Sequence, residues 1–163
     1  MAVDMLTTIE TNMADAILAA EEGPYFFSWG SVNEPDQAKQ EFPSAEIRLV
    51  DEENLDEDGG VHAGAYSNRA SYEMVVKARL GHEVMSGAQV YSINEELNKA
   101  LSDLKKIFGV NYNLGACFKI MYRGMARESE AMGDLLVPKR MIVKFDVWYM
   151  QDRGDPTTGA DGA

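Results

Sequence analysis

The side chains that could do chemistry are few, and their spacing does not suit catalysis. His62 and His82 are the only histidines and lie 20 residues apart, without the HExxH spacing that sets two ligands on one helix face. With Cys117 as the only cysteine, a transition-metal site would need carboxylate partners that no spacing picks out, and an internal disulfide is excluded. Both histidines therefore read as structural or surface residues. No GxxxxGK[ST] phosphate loop, GxGxxG turn or GxSxG elbow occurs. Cys117 falls in a strand-like stretch, on the face opposite Phe118 and Ile120. No histidine lies near it in sequence to activate it, so it reads as a bystander thiol.

The densest chemical feature is acidic. Asp51, Glu52, Glu53, Asp56, Glu57 and Asp58 fall within eight residues and are followed by Gly59, Gly60 and Gly64. An EF-hand needs glycine at its sixth position and glutamate at its twelfth. Counted from Asp51 those positions hold Asp56 and His62, so the pattern fails. A weak divalent site of another kind stays open beside the simpler reading of a solvated acidic loop. Like charges repel and glycines add backbone entropy, which predicts a long mobile loop over residues 51–70. Loops of that length in a small domain are often functional.

Basic residues gather late in the chain, at Lys119, Arg123, Arg127, Lys139, Arg140 and Lys144. Acids in one region and bases in another suggest a contact between copies, with Trp148 as an aromatic contributor on the same face. A solvated surface carrying both signs is the plainer alternative, and the one we favour from charge alone. A nucleic-acid patch is the weakest reading, because the formal charge of −12 opposes generic binding to polyanions and to anionic membranes.

These side chains must be positioned by a small set of elements. The strongest signal is the strand predicted over residues 138–152. Met141, Val143, Phe145, Val147 and Tyr149 make one wholly apolar face, and Ile142, Lys144, Asp146 and Trp148 make a half-polar one. A helix is predicted over 4–22, capped by Asp4, striped by Met5, Ile9, Met13, Ile17 and Ala20, and ended by Gly23-Pro24. A short aromatic strand follows over 25–30, then a loop over 31–44, then a strand over 45–50 with Ala45, Ile47 and Leu49 inward. A third strand over 71–80 turns Tyr72, Met74, Val76, Ala78 and Leu80 one way.

Ser92 and Glu95 form a capping box that opens a helix running to Phe108 and striped by Ile93, Leu97, Ala100, Leu101, Leu104 and Phe108, with Gly109 placed to end it. A fourth strand over 116–125 and a polar connection over 126–137 lead into the closing strand, so the two form a long hairpin. The order α-β-β-β-α-β-β predicts an α+β fold: an antiparallel or mixed sheet of about five strands with two helices packed on one face. Residues 1–153 form a single domain and 154–163 a flexible tail. The first residues show neither a basic region nor a long apolar run, so neither a signal peptide nor a membrane span is expected. The expectation is a soluble protein made inside the cell.

The closing hairpin, ending PKRMIVKFDVWYMQDRGDP, resembles the tail terminator (tail completion) proteins of long-tailed bacteriophages. The resemblance extends to element order over most of the chain. At residue level it is confined to 71–80, the capped helix and the hairpin, and it does not include the acidic run. It implies a structural virion protein of the tail or neck, synthesised in the host cytoplasm and assembled as a six-fold ring. Such a ring stops tube polymerisation and joins the tail to the head connector. The implied partners are further copies of the chain, the tail tube protein and the connector or neck protein, with DNA passing through the lumen without specific binding. No membrane, cofactor or catalysis is implied. A neck or tube protein of the same assembly is the nearest alternative. A small ligand- or metal-binding regulatory module is a further one, and an enzyme without a linear signature is the last.

Overall fold

The computed structural model describes residues 4–36, 39–55, 65–78, 87–115, 117 and 119–152. Its element order is α1 (Met5–Leu18), β1 (Ser31–Val32), β2 (Ser44–Asn54), β3 (Ala65–Lys77), α2 (Gly87–Val110), β4 (Lys119–Met132) and β5 (Leu135–Asp152). The strands form one mixed sheet in the order β1-β2-β3-β5-β4. Only the β1–β2 pair is parallel. The fold is α+β, as the sequence predicts.

The closing strand lies between β3 and β4, and its alternation explains why. Met141, Val143, Phe145, Val147 and Tyr149 are all buried. In register, Phe145 faces Tyr72 on one side and Tyr122 on the other, and Val143 faces Met74 and Met125. Both helices pack their stripes on that face: Met5, Ile9, Met13 and Ile17 from α1, and Ile93, Leu97, Ala100, Leu104, Ile107 and Phe108 from α2. Phe108 meets Phe145 edge-on at 5.0 Å between ring centroids, the geometry the ring quadrupoles favour.

Local chemistry sets the element ends. Asp4 caps α1, its side chain accepting from the Thr7 amide at 2.8 Å. The helix then stops at Leu18, four residues short of the expected end. The helix α2 begins at Gly87 rather than at Ser92, whose hydroxyl instead donates to the Ala88 carbonyl one turn back. Gly109 lies inside its last turn. The expected strand over 25–30 is absent, and the strand at this edge is the two-residue β1 that follows it.

Two further expectations change the shape of the sheet. The acids Asp51, Glu52 and Glu53 extend β2, and residues 65–70 open β3, so half of the expected loop over 51–70 is strand, and 56–64 lie outside the described residues. Leu49, expected inward, is 41% exposed. The polar connection over 126–137 is mostly strand: β4 and β5 pair down to Met132 and Leu135, leaving Gly133 and Asp134 as the turn. Gly133, with φ 63°, supplies the positive φ that a two-residue hairpin needs at its first turn position.

Replacing Phe145 by Ala removes a ring that both α2 and β4 contact, and should cost about 3–5 kcal/mol. Lys144→Ala, one residue away on the exposed face, should change stability by less than about 0.5 kcal/mol. Urea unfolding of the two variants checks the contrast.

Candidate functional site

With both helices on one face, the other face of the sheet carries most of those charges singled out from the sequence that are among the described residues. Strand register arranges them in rows. Glu53 pairs with Arg69, Arg69 with Trp148, and Trp148 with Lys119. The next row toward the sheet's middle holds Asp51, Ser71, Asp146 and Met121, and the next holds Arg48, Glu73, Lys144 and Gly124. Within each row neighbours are matched. Arg69 is ion-paired to Glu53. Lys119 Nζ sits 4.7 Å from the Trp148 ring centroid, where the ring face attracts a cation. Ser71 Oγ donates to Asp146 at 2.8 Å, and Arg123 reaches the same carboxylate at 3.2 Å. Lys144 stands directly opposite Glu73.

The predicted contact residues thus separate into groups. Asp51 and Glu53 lie on this uncovered face at the free side of β2. Glu52 points to the helix side, where its carboxylate accepts the Tyr149 hydroxyl. Asp56, Glu57 and Asp58 lie outside the described residues. Of the bases, Lys119, Arg123, Arg140 and Lys144 belong to the uncovered face, and Arg140 pairs with Glu128 across the hairpin. Lys139 reaches Glu130 at 3.6 Å. Arg127 does not belong to that face. A register shift after Tyr122, with Arg123 as the extra residue, turns Arg127 toward α2, where it donates to Asn94 at 2.7 Å and to Asn98 at 2.5 Å. Such a β-bulge reverses which side chains face the core from that point on, and no sequence period announces it.

Arg69, Ser71, Glu73 and Asp146, which match the charges above, were not among the candidates. The signal for the first three was the polar alternation opposite Tyr72 and Met74 in β3, and for Asp146 the half-polar face of the closing strand. A further residue that the sequence reading passed over is Asp103. It is 2% exposed and accepts from the Phe26 amide at 2.8 Å, the Phe27 amide at 3.0 Å and Trp29 Nε1 at 3.3 Å. This carboxylate holds the aromatic turn 25–29 against α2. Lys106 adds a second tie, its ammonium over the Tyr25 ring at 4.8 Å and hydrogen-bonded to the Pro24 carbonyl at 2.5 Å. The clue was an acid set within the apolar stripe beside Ala100, Leu104 and Ile107. Two shallow open grooves flank exposed Phe26, of about 500 Å³ beside Glu22, Glu95 and Lys99 and about 360 Å³ beside Pro24 and Ser102.

Among the described residues no three His, Cys, Asp or Glu side chains are grouped to hold a metal ion, and no helix is long and apolar enough to cross a membrane. Both histidines lie outside the described residues. Cys117 is half-buried beside the Asn113 carbonyl, 3.1 Å from its Sγ, and burial pushes its thiol up to about 11. Burial also raises the Glu10 carboxyl on α1. Asp4 raises it further, and the Tyr72 hydroxyl pulls it back. A scan against protein-family models finds no match, and a search of curated proteins finds none.

Two outcomes follow from these groups. Cys117 should react with an alkylating reagent at neutral pH far more slowly than free cysteine, since little thiolate is present, and unfolding in urea should restore the ordinary rate. Glu10 binds its proton more tightly folded than unfolded, so its contribution favours folding at acid pH and is lost as pH rises through its folded value. Glu10→Gln should therefore raise the melting temperature at neutral pH. The difference should close below the ordinary glutamate value of 4.5, as a pH series of melting curves would reveal.

Proposed function

We propose that the chain is a structural ring subunit of a bacteriophage tail, a tail terminator seated at the head-proximal end of the tail tube. The observation that supports this most is the one-sided sheet. Its helices cover one face, leaving bare a matched-charge face and two unlike lateral sides, β2 with Asp51 and Glu53 and β4 with Lys119 and Arg123. Unlike sides are what head-to-tail closure into a ring requires, whereas a two-fold dimer would use one side twice. The closing hairpin that carries the resemblance to tail terminators supplies an interior strand, β5, and one of those sides.

The mechanism is steric. One axial surface of the ring copies the contact a tube subunit would make, and the opposite surface lacks it and meets the connector or neck protein. DNA passes through the lumen, where a net charge of −12 disfavours retention of a polyanion.

The test is addition of the purified protein, below stoichiometric amounts, to polymerising tail tube protein. Growth at one end should stop and imaging should show a cap there. If the protein itself polymerises into open tubes it is a tube protein, and if tube lengths are unchanged and no cap forms the terminator reading fails.

A further inference from the structure

Where copies touch follows from register and chemistry at the two lateral sides of the sheet. Glu53 and Lys119 end the same row, Glu53–Arg69–Trp148–Lys119, with both end side chains exposed. The row crosses three strand spacings, so the two ends lie about 14 Å apart in one copy. Each end also carries apolar surface that the described fold leaves bare: Val50 (56% exposed) and Leu55 (38%) beside Glu53, and Tyr112 (57%) and Met121 (41%) beside Lys119. Tyr112 is placed there by its own carbonyl, which accepts from the Ile120 amide at 2.7 Å.

We infer that neighbouring copies meet side to side, with the Val50–Leu55 side of one sheet against the Tyr112–Met121 side of the next, so that Glu53 of one copy lies opposite Lys119 of its neighbour. The inference rests on the ring-subunit reading and gives that ring its contact. Charge complementarity commits the occupant to a second copy: β2 ends acidic, the start of β4 is basic, and the row register sets them level when one copy is displaced sideways.

The contact is made by side chains rather than by strand addition. The Ile120 amide is already taken by Tyr112, and extra residues at Val50 and Arg123 kink β2 and β4. Such kinks discourage continuous main-chain pairing between edges. They also remove the flat edge that would template indefinite sheet growth, so that closure of the ring sets the number of copies.

The experiment is disulfide trapping in a Cys117→Ser background. A protein carrying both Glu53→Cys and Lys119→Cys cannot close a bridge within one chain, because the Cα separation exceeds the limit of about 7 Å. Mild oxidation at high protein concentration should give a ladder of covalent oligomers ending at the ring number. Either single-cysteine variant should stay monomeric, and a mixture of the two should give covalent dimers only. No bridging by the double variant overturns the contact, as does dimerisation of Glu53→Cys alone, which would mean a two-fold pairing of like sides. Tube capping by wild-type protein without trapping would remove this contact and keep the terminator reading. A trapped ladder from a protein that does not cap tubes would keep the contact and remove that reading.

Discussion

The burial of one face of β5 is the constraint on which the rest of the molecule depends. Five large apolar side chains at alternate positions cannot be shielded by strands alone, because neighbouring strands cover only edges. Two helices must lie across them. Once α1 and α2 do so, the opposite face is left to water, and its composition follows: Arg69, Glu73, Lys144, Asp146 and Lys119 bring charges of both signs to it. The same constraint puts β4 at the outer side and leaves β2 nearly uncovered, with only the two residues of β1 beyond it. The two surfaces argued to meet between copies are therefore by-products of where the core had to be.

Asp103 shows how a single buried charge extends that core. Its carboxylate receives two amides of the aromatic turn and the indole N–H, so donors that would otherwise be stranded are satisfied. A charge so deeply buried is tolerated only when its lone pairs are filled this way. The turn in exchange lays Trp29, 4% exposed, into the core. The element between α1 and the sheet is thus fixed by a side chain on α2, far away in sequence.

That distance is why this segment was illegible in the sequence. Its aromatic run has strand propensity, and only a tertiary partner overrides it. The acidic stretch misled for a related reason. Six carboxylates within eight residues repel, but Asp51 and Glu53 project to one face and Glu52 to the other, and Arg69 and Tyr149 donate to two of them from neighbouring parts of the sheet. Cross-strand compensation is invisible until strands are paired. The turn at Gly133-Asp134 was hidden because the hairpin arm around it is polar or mixed on both faces and shows no clean period. By contrast the apolar face of the closing strand and most of the stripe of α2 were legible, since their partners are simply any apolar surface; in α2, Ile107 is buried and Leu101 only partly so. Of the candidate contact residues, Lys119, Arg123 and Glu53 lie on the uncovered face of the sheet. Arg127 does not, because a one-residue bulge inverted its face.

Head-to-tail self-association is the claim that carries the functional reading, and native mass spectrometry combined with negative-stain imaging over a range of protein concentrations tests it most directly. The expected result is a single closed species, a six-fold ring, growing at the expense of monomer and never exceeding its closed size. A stable two-fold dimer that buries like sides of two sheets would contradict it.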